Sequence, residues 1–290
     1  MLFDPMGFLE PYVIRAKILL QEMWTSGLDW DDPLDQSQAR EAKKWFEELT
    51  ELSEVQAPHC LQLNSDVETV TLHTFTDASG DAYGAATYIN YKYKGGTVST
   101  NLVTSKTRVV PLSATSIPRL KLMGAVLELR LALSIAKVLK IDQNLLTFWS
   151  DSMHVLWWIQ IPSCSFRPLV ANRIGEIHDS SSPTQWCHVS TDQNPADLPT
   201  RGMSATELKG NKMWWKGLKF LSMPEDTWPK TEIDVTAEAT LEVRKKVRTT
   251  FDVPDKKSVL FVLTPQVTWC LHPSRYSSWT RLLRARAWVH

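Results

Sequence analysis

The chain of 290 residues is short of cysteine pairs, long apolar runs and net charge, and each shortage argues against a class of protein. Its four cysteines, Cys60, Cys164, Cys187 and Cys270, lie far apart and form no Cys-x-x-Cys pair. That spacing suits neither a disulfide framework nor a zinc site, and free thiols in a reducing compartment are expected. No apolar stretch approaches the roughly 20 residues that span a bilayer. The segment Met1–Glu10 carries two acids and a proline and lacks the basic and apolar regions of a secretory signal. The expectation is an intracellular protein, of cytoplasm or nucleus, with no membrane partner. Lys+Arg 32 balances Asp+Glu 32, giving net charge +0. The broad basic surface of a free-standing nucleic-acid binder is therefore missing, so any such surface is local or is supplied by a larger parent.

What is present is apolar material. Hydrophobic residues make up 43% of the chain and Trp numbers 13, enough to bury a core and to argue against global disorder. Three zones differ in texture: residues 1–64, 65–202 and 203–290. In the first, Val13, Ile14, Lys17, Ile18, Leu20, Gln21 and Trp24 recur at helical spacing. The acidic turn Asp29–Pro33 follows, and Ala39, Ala42, Trp45, Phe46 and Leu49 mark the apolar side of a second helix. The zone predicts a helical hairpin.

The second zone predicts strands at Thr69–Thr76, Tyr83–Tyr93 and Thr97–Ser105, the latter two joined by the hairpin signal Lys94-Gly-Gly96. Ser116 and Pro118 open a long helix to about Leu139. A short strand at Leu145–Ser150, helices at Met153–Gln160 and Leu169–His178, and a last strand at Gln185–Val189 complete the order β-β-β-α-β-α-α-β. Three consecutive strands followed by crossover helices imply an α/β fold: a mixed five-stranded sheet with flanking helices. In the third zone, Glu232–Lys257 has few apolar anchors and reads as a loosely ordered linker. A final apolar helix pattern occupies Ser277–Val289.

Three aspartates carry the candidate chemistry. Asp77, in Phe75-Thr-Asp77-Ala-Ser79, ends the first strand, and Asp151, in Phe148-Trp-Ser-Asp151-Ser152, ends the fourth. Asp197, in Asn194-Pro-Ala-Asp197, follows the fifth strand at the start of a helix. Strand carboxyl ends converge in such a sheet, and ligands bind there. Carboxylates brought together repel unless a cation sits between them, and hard oxygen ligands suit Mg²⁺. Two such ions about 4 Å apart activate water for phosphodiester cleavage. Each aspartate alone reads as a helix cap; together, in this strand order, they read as a site.

Several stretches resemble the ribonuclease H region of BEL/Pao-type LTR retrotransposons. They are Thr74-Phe-Thr-Asp77-Ala-Ser-Gly-Asp-Ala-Tyr-Gly-Ala85, Ser116-Ile-Pro-Arg-Leu120, Phe148-Trp-Ser-Asp-Ser152, Val170-Ala-Asn-Arg-Ile174, and Asn194-Pro-Ala-Asp-Leu198 with Arg201-Gly202. The segment from Phe3 to Pro11 and the stretch Gly27–Asp32 are similar to the part joining reverse transcriptase to its ribonuclease. Arg275–Val289 is similar to the part leading to the integrase. The resemblance thus covers nearly the whole chain: a connection segment over 1–64, a ribonuclease H-like domain over 65–202, and a linker with pre-integrase segment over 203–290. Such regions also carry the label Pao retrotransposon peptidase, but no Asp-Thr/Ser-Gly peptidase signature is present.

The resemblance implies a metal-dependent hydrolase, an endonuclease cutting the RNA strand of RNA–DNA hybrids with Mg²⁺ or Mn²⁺. Its partners would be nucleic acid and the reverse transcriptase and integrase portions of a parent polyprotein. Asp77, Asp151 and Asp197 match three of the four metal-binding acids, and Ser79, Ser152, Asn194 and Arg201 accompany them as candidate substrate contacts. The fourth position departs from the pattern: where Ile-Pro-Arg-Leu-Glu is expected, the chain has Ile117-Pro-Arg-Leu-Lys121. Lys121 removes a ligand and reverses its charge, so one ion held by three aspartates, or an inactive nucleic-acid-binding or structural remnant, are the two outcomes to separate.

Glu128, seven residues on and roughly 10 Å along the helix, reads as a surface acid. Thr191-Asp192-Gln193 stands where such enzymes often carry a histidine, and His188 reads as a strand residue. Trp149, Trp157, Trp158 and Trp186 have the spacing of core residues. Lys92, Lys94, Lys106 and Arg108 form either a local phosphate-binding edge or an ordinary solvated one.

Overall fold

The architecture is that of a computed structural model, which describes residues 2–29, 31–56, 66–229 and 239–244. Helix α1 (Glu10–Thr25) carries Pro11 in its first turn, where a missing amide proton is harmless. Helix α2 (Gln36–Glu48) begins in a capping box: the Asp35 side chain accepts from Ser37 N and Gln38 N, and the Gln38 side chain reaches back. Strands β1 (Val67–Ala78), β2 (Ala82–Tyr93) and β3 (Val98–Val109) follow. Next come α3 (Ile117–Leu139), β4 (Leu146–Ser150), α4 (Met153–Ile159), α5 (Pro168–Ser180) and β5 (Trp186–His188). The short helices α6 (Asp197–Arg201), α7 (Ala205–Gly210) and α8 (Lys212–Lys216) lead into 3₁₀ turns.

The sheet has the order β3-β2-β1-β4-β5. β1, β2 and β3 pair antiparallel, whereas β4 runs parallel to both β1 and β5. This is the mixed five-stranded α/β sheet the sequence order implies. Side-chain alternation along the strands separates two cores. On one face Leu72, Ile89 and Phe148 pack with Leu122, Leu129, Trp158 and Ile174 from α3, α4 and α5. On the other, Phe75, Tyr88 and Trp149 pack with Tyr12 of α1 and with Trp214, Leu218 and Leu221 beyond α7. Burying an aromatic or large aliphatic side chain contributes roughly 1.5–3 kcal/mol, so both faces of the central strands are stabilised. Trp149, Trp158 and Trp186 are core residues, and Trp157 is half-buried against the same core.

The edge strand β3 is covered by the N-terminal segment. Met6 O accepts from Ser105 N at 2.9 Å and from Thr104 Oγ1 at 2.8 Å, and the Ser105 hydroxyl donates to Gly7 O. Asp4 shapes this segment by accepting from Phe8 N and Leu9 N. Gly7 sits at φ +72, where a Cβ would run into the Ser105 carbonyl. The N-terminal motif is therefore explained locally: it blunts an exposed sheet edge.

Three expectations need correction. On α2, Ala39 and Phe46 face solvent, and the buried stripe runs through Gln38 and Glu48 with Trp45 beside it. The helix is rotated because Glu48 ion-pairs with Arg15 of α1 at 2.5 Å and Trp45 stacks on Tyr12. Glu128 is a fully buried acid instead of a surface one. Six residues of the expected loose linker are docked: Ala239–Glu242 form a 3₁₀ turn and Val243 bridges Phe166. The anchor is the bidentate pair of Arg119 with Glu242, at 2.8 and 3.2 Å. The remainder of Glu232–Lys257 and the Ser277–Val289 helix pattern lie outside the described residues.

Candidate active site

Parallel pairing of β1 and β4 sets Thr76 opposite Ser150, so Asp77 and Asp151 leave adjacent strand ends together. Helix α3 crosses behind them and comes very close to β1 at Gly124, whose added Cβ would lie 2.6 Å from Thr76 Oγ1. That approach, in the first turns of α3, brings Lys121 over the strand ends. Its Nζ lies 2.6 Å from Asp151 Oδ2 and 3.4 Å from Asp77 Oδ1. The Asp151 and Asp77 side chains are 1% and 5% exposed, and Lys121 is 19% exposed. The loop after β5 is tied to the same place, because Asn194 Nδ2 donates to Thr76 O at 2.8 Å. Asp197 thereby starts α6 beside Asp77.

The electrostatics follow from burial and charge count. Burial pushes the Asp77 carboxyl above its ordinary value; Lys121 pulls it down, and Asp197 pushes it up again. Arg201 Nε lies 2.6 Å from Asp197 Oδ1 as an ion pair, out of line for a hydrogen bond. Hydroxyls stabilise the remaining negative charge by hydrogen bonding: Thr191 Oγ1 donates to Asp151 Oδ2 at 2.9 Å, and Thr200 Oγ1 donates to Asp77 Oδ2 at 3.1 Å. Asp151 Oδ1 is buried with no hydrogen-bond partner among the described residues. Half-buried His188 sits against the Asp151 backbone; burial lowers its pKa and Asp151 opposes the shift.

The three sequence-derived aspartates and Lys121 are thus neighbours. Ser79, Ser152 and Asn194 are each occupied locally. Ser79 Oγ accepts from Asp81 N and Ala82 N and donates to Thr200 O, shaping the β1–β2 turn. Ser152 caps α4 by accepting from Val155 N, and the Asn194 amide also holds Ala196 N. Arg201 keeps its side chain two-thirds exposed while pairing with Asp197.

Sequence reasoning missed Thr191, Thr200 and Gly124, and misplaced Glu128. Glu128 Oε1 accepts from Trp149 N at 3.0 Å, and burial holds its carboxyl well above the ordinary range. A glycine in a helix interior is the signal that could have pointed to the close contact at 124; the threonines gave none.

As a metal cage the arrangement does not fit. Among the described residues no three of His, Cys, Asp and Glu are grouped to hold a metal ion. The ammonium of Lys121 already lies between two of the carboxylates.

A mixed sheet with carboxylates gathered at the β1 and β4 ends defines a ribonuclease H-like domain. The family model described as "Pao retrotransposon-like RNaseH-like domain" matches residues 1–152. The chain belongs to that family. Asp77, Lys121 and Asp151 fall within the match; Asp197 lies beyond it. No curated protein matches the chain. Among solved structures, it is similar to a foamy viral protease-reverse transcriptase dRH in complex with ds DNA, at 13% identity and a TM-score of 0.27. The alignment covers 65% of this chain and 35% of that one, so the chain spans about a third of that protein's length. No helix among the described residues is long and apolar enough to cross a membrane.

Proposed function

We propose that this chain is the ribonuclease H-like module of a retrotransposon polyprotein and that it engages RNA–DNA hybrid, or related nucleic acid, without cutting it. The observation that carries this reading is the pair of contacts from Lys121 Nζ to Asp151 and Asp77. A buried carboxylate pair needs a cation, and a covalently attached ammonium supplies one at permanent local concentration. A divalent ion would have to displace it. The module's remaining duties are then recognition and support beside reverse transcriptase and integrase portions of a parent chain.

Cleavage of a labelled RNA–DNA hybrid in Mg²⁺ or Mn²⁺ tests the reading. The native chain is expected to be silent and Lys121→Glu to cut. Cutting by the native chain that Asp77→Asn abolishes would overturn it.

A second reading keeps the hydrolase: were Lys121 to withdraw and the carboxylates to draw together, Asp77, Asp151 and Asp197 would hold a single Mg²⁺ or Mn²⁺ that serves cleavage of the RNA strand. The buried, unpartnered Asp151 Oδ1 favours it, because that oxygen is free to accept a ligand bond.

A further inference from the structure

We infer that a crevice between the sheet, α3 and α5, lined by Tyr83, Arg108, Arg130 and Arg173, binds a phosphate group, and that in a nucleic acid it takes a backbone phosphodiester. The second half of this inference rests on the nucleic-acid reading above; the first does not. The crevice holds about 60 Å³ over an apolar floor of Met123 and Leu127. A water needs roughly 10–15 Å³ of such space, so there is room for a few waters or for one small oxyanion in their place.

Charge makes the case. Three guanidiniums line one small opening, and among the described residues the carboxylate that pairs with two of them is Glu176. Arg130 Nε and Nη2 reach it at 2.5 and 2.9 Å, and Arg173 Nη1 lies 4.0 Å away. One negative charge against three positive leaves an excess of two, which covers an inorganic phosphate dianion and exceeds the single charge of a phosphodiester. Arg108 is exposed and has no hydrogen-bond or ion-pair partner among the described residues. The Tyr83 ring is buried beside Ala78, Leu120 and Leu127, and its hydroxyl interacts electrostatically with Arg130 without a hydrogen-bond partner among the described residues. Planar guanidinium forks match phosphate oxygens in pairs. The Arg173–Glu176 pair is long and solvent-exposed, so Arg173, like Arg108, is available to a better anion, while Arg130 is held by its two bonds to Glu176.

Position ties the crevice to the acidic centre. Tyr83 stands opposite Ala78 in the β1–β2 register, next to Asp77 opposite Gly84. Arg130 follows Lys121 by nine residues on α3, roughly 13 Å along the axis. Nine residues are also about two and a half turns, so the two side chains leave opposite sides of α3 and the crevice flanks the acidic centre.

The test uses the full chain. Binding of a fluorescent RNA–DNA hybrid is measured against salt for the native chain, the double variant Arg108→Ala/Arg173→Ala, and Lys209→Ala on the opposite face as a charge control. Inorganic phosphate alone is titrated in parallel, with Tyr83 resonances as the readout. The double variant is expected to weaken hybrid binding about fivefold to tenfold and to lower the salt slope by about 1–2, with Lys209→Ala nearly neutral. Phosphate alone should shift Tyr83 in the native chain and not in the double variant. Hybrid binding that ignores Arg108 and Arg173, with no phosphate response, overturns the crevice and leaves the nucleic-acid reading standing. A phosphate response without hybrid binding keeps the crevice as a free-phosphate site and sinks the nucleic-acid reading. Absence of both overturns both.

Discussion

Glu128, in the middle of α3, accepts a 3.0 Å hydrogen bond from the backbone nitrogen of Trp149 in β4, and its side chain is wholly buried. The bond ties the helix that carries Lys121 to the strand that carries Asp151. Burial keeps the acid protonated well above the ordinary glutamate value of 4.5.

Below pH 4.5, where the acid is protonated both folded and unfolded, Glu128→Gln retains an acceptor for Trp149 N and should change stability by less than about 1 kcal/mol, whereas Glu128→Ala leaves a cavity and an unsatisfied amide and should cost about 2–4 kcal/mol. Urea denaturation checks both. The pH dependence has a definite sign. Above pH 4.5 the folded chain keeps a proton that the unfolded chain has released, so stability falls as pH rises, by about 1.4 kcal/mol per unit. The fall ends once pH passes the raised folded value. Subtracting the Glu128→Gln curve from the native one should isolate that slope; equal curves would mean that the acid is ionised when folded.

Gly7→Ala places a Cβ against the Ser105 carbonyl at a positive φ. Left-handed backbone alone costs about 1–2 kcal/mol for a non-glycine residue, and the overlap adds to it. The expected result is a melting temperature lower by several degrees, with faster amide exchange at Ser105 as the N-terminal segment leaves β3. Unchanged exchange there would show that the segment does not protect the edge.

Arg119 and Glu242 should be coupled. Each alanine variant is expected to lose roughly 1 kcal/mol and the double variant about the same as either single one, because the pair is partly buried and bidentate. Limited proteolysis should cut residues 239–244 faster in all three variants. Strict additivity would mean that the pair contributes nothing in solution.

The fold was legible because its signals are local. Alternation in β1, the glycine pair before β3, Pro118 and the apolar run of α3 each act within a few residues. Asp77 and Asp151 were legible for the same reason, as strand ends. What escaped depends on contacts distant in sequence. Glu128 looked like a surface acid because nothing near it reveals the Trp149 amide 21 residues away. Phe46 looked buried because helical spacing fixes which residues share a face and not which face packs. Residues 239–244 looked unanchored because their anchor, Arg119, lies 123 positions earlier.

In the proposed reading the Lys121 ammonium fills the place of a divalent cation between Asp77 and Asp151. Calorimetric titration of Mg²⁺ and Mn²⁺ into the native chain and into Lys121→Glu separates this from a metal-binding site. The native chain is expected to show no saturable binding at millimolar metal, and Lys121→Glu to show binding that Asp77→Asn removes. Saturable, Asp77-dependent binding to the native chain would contradict that reading.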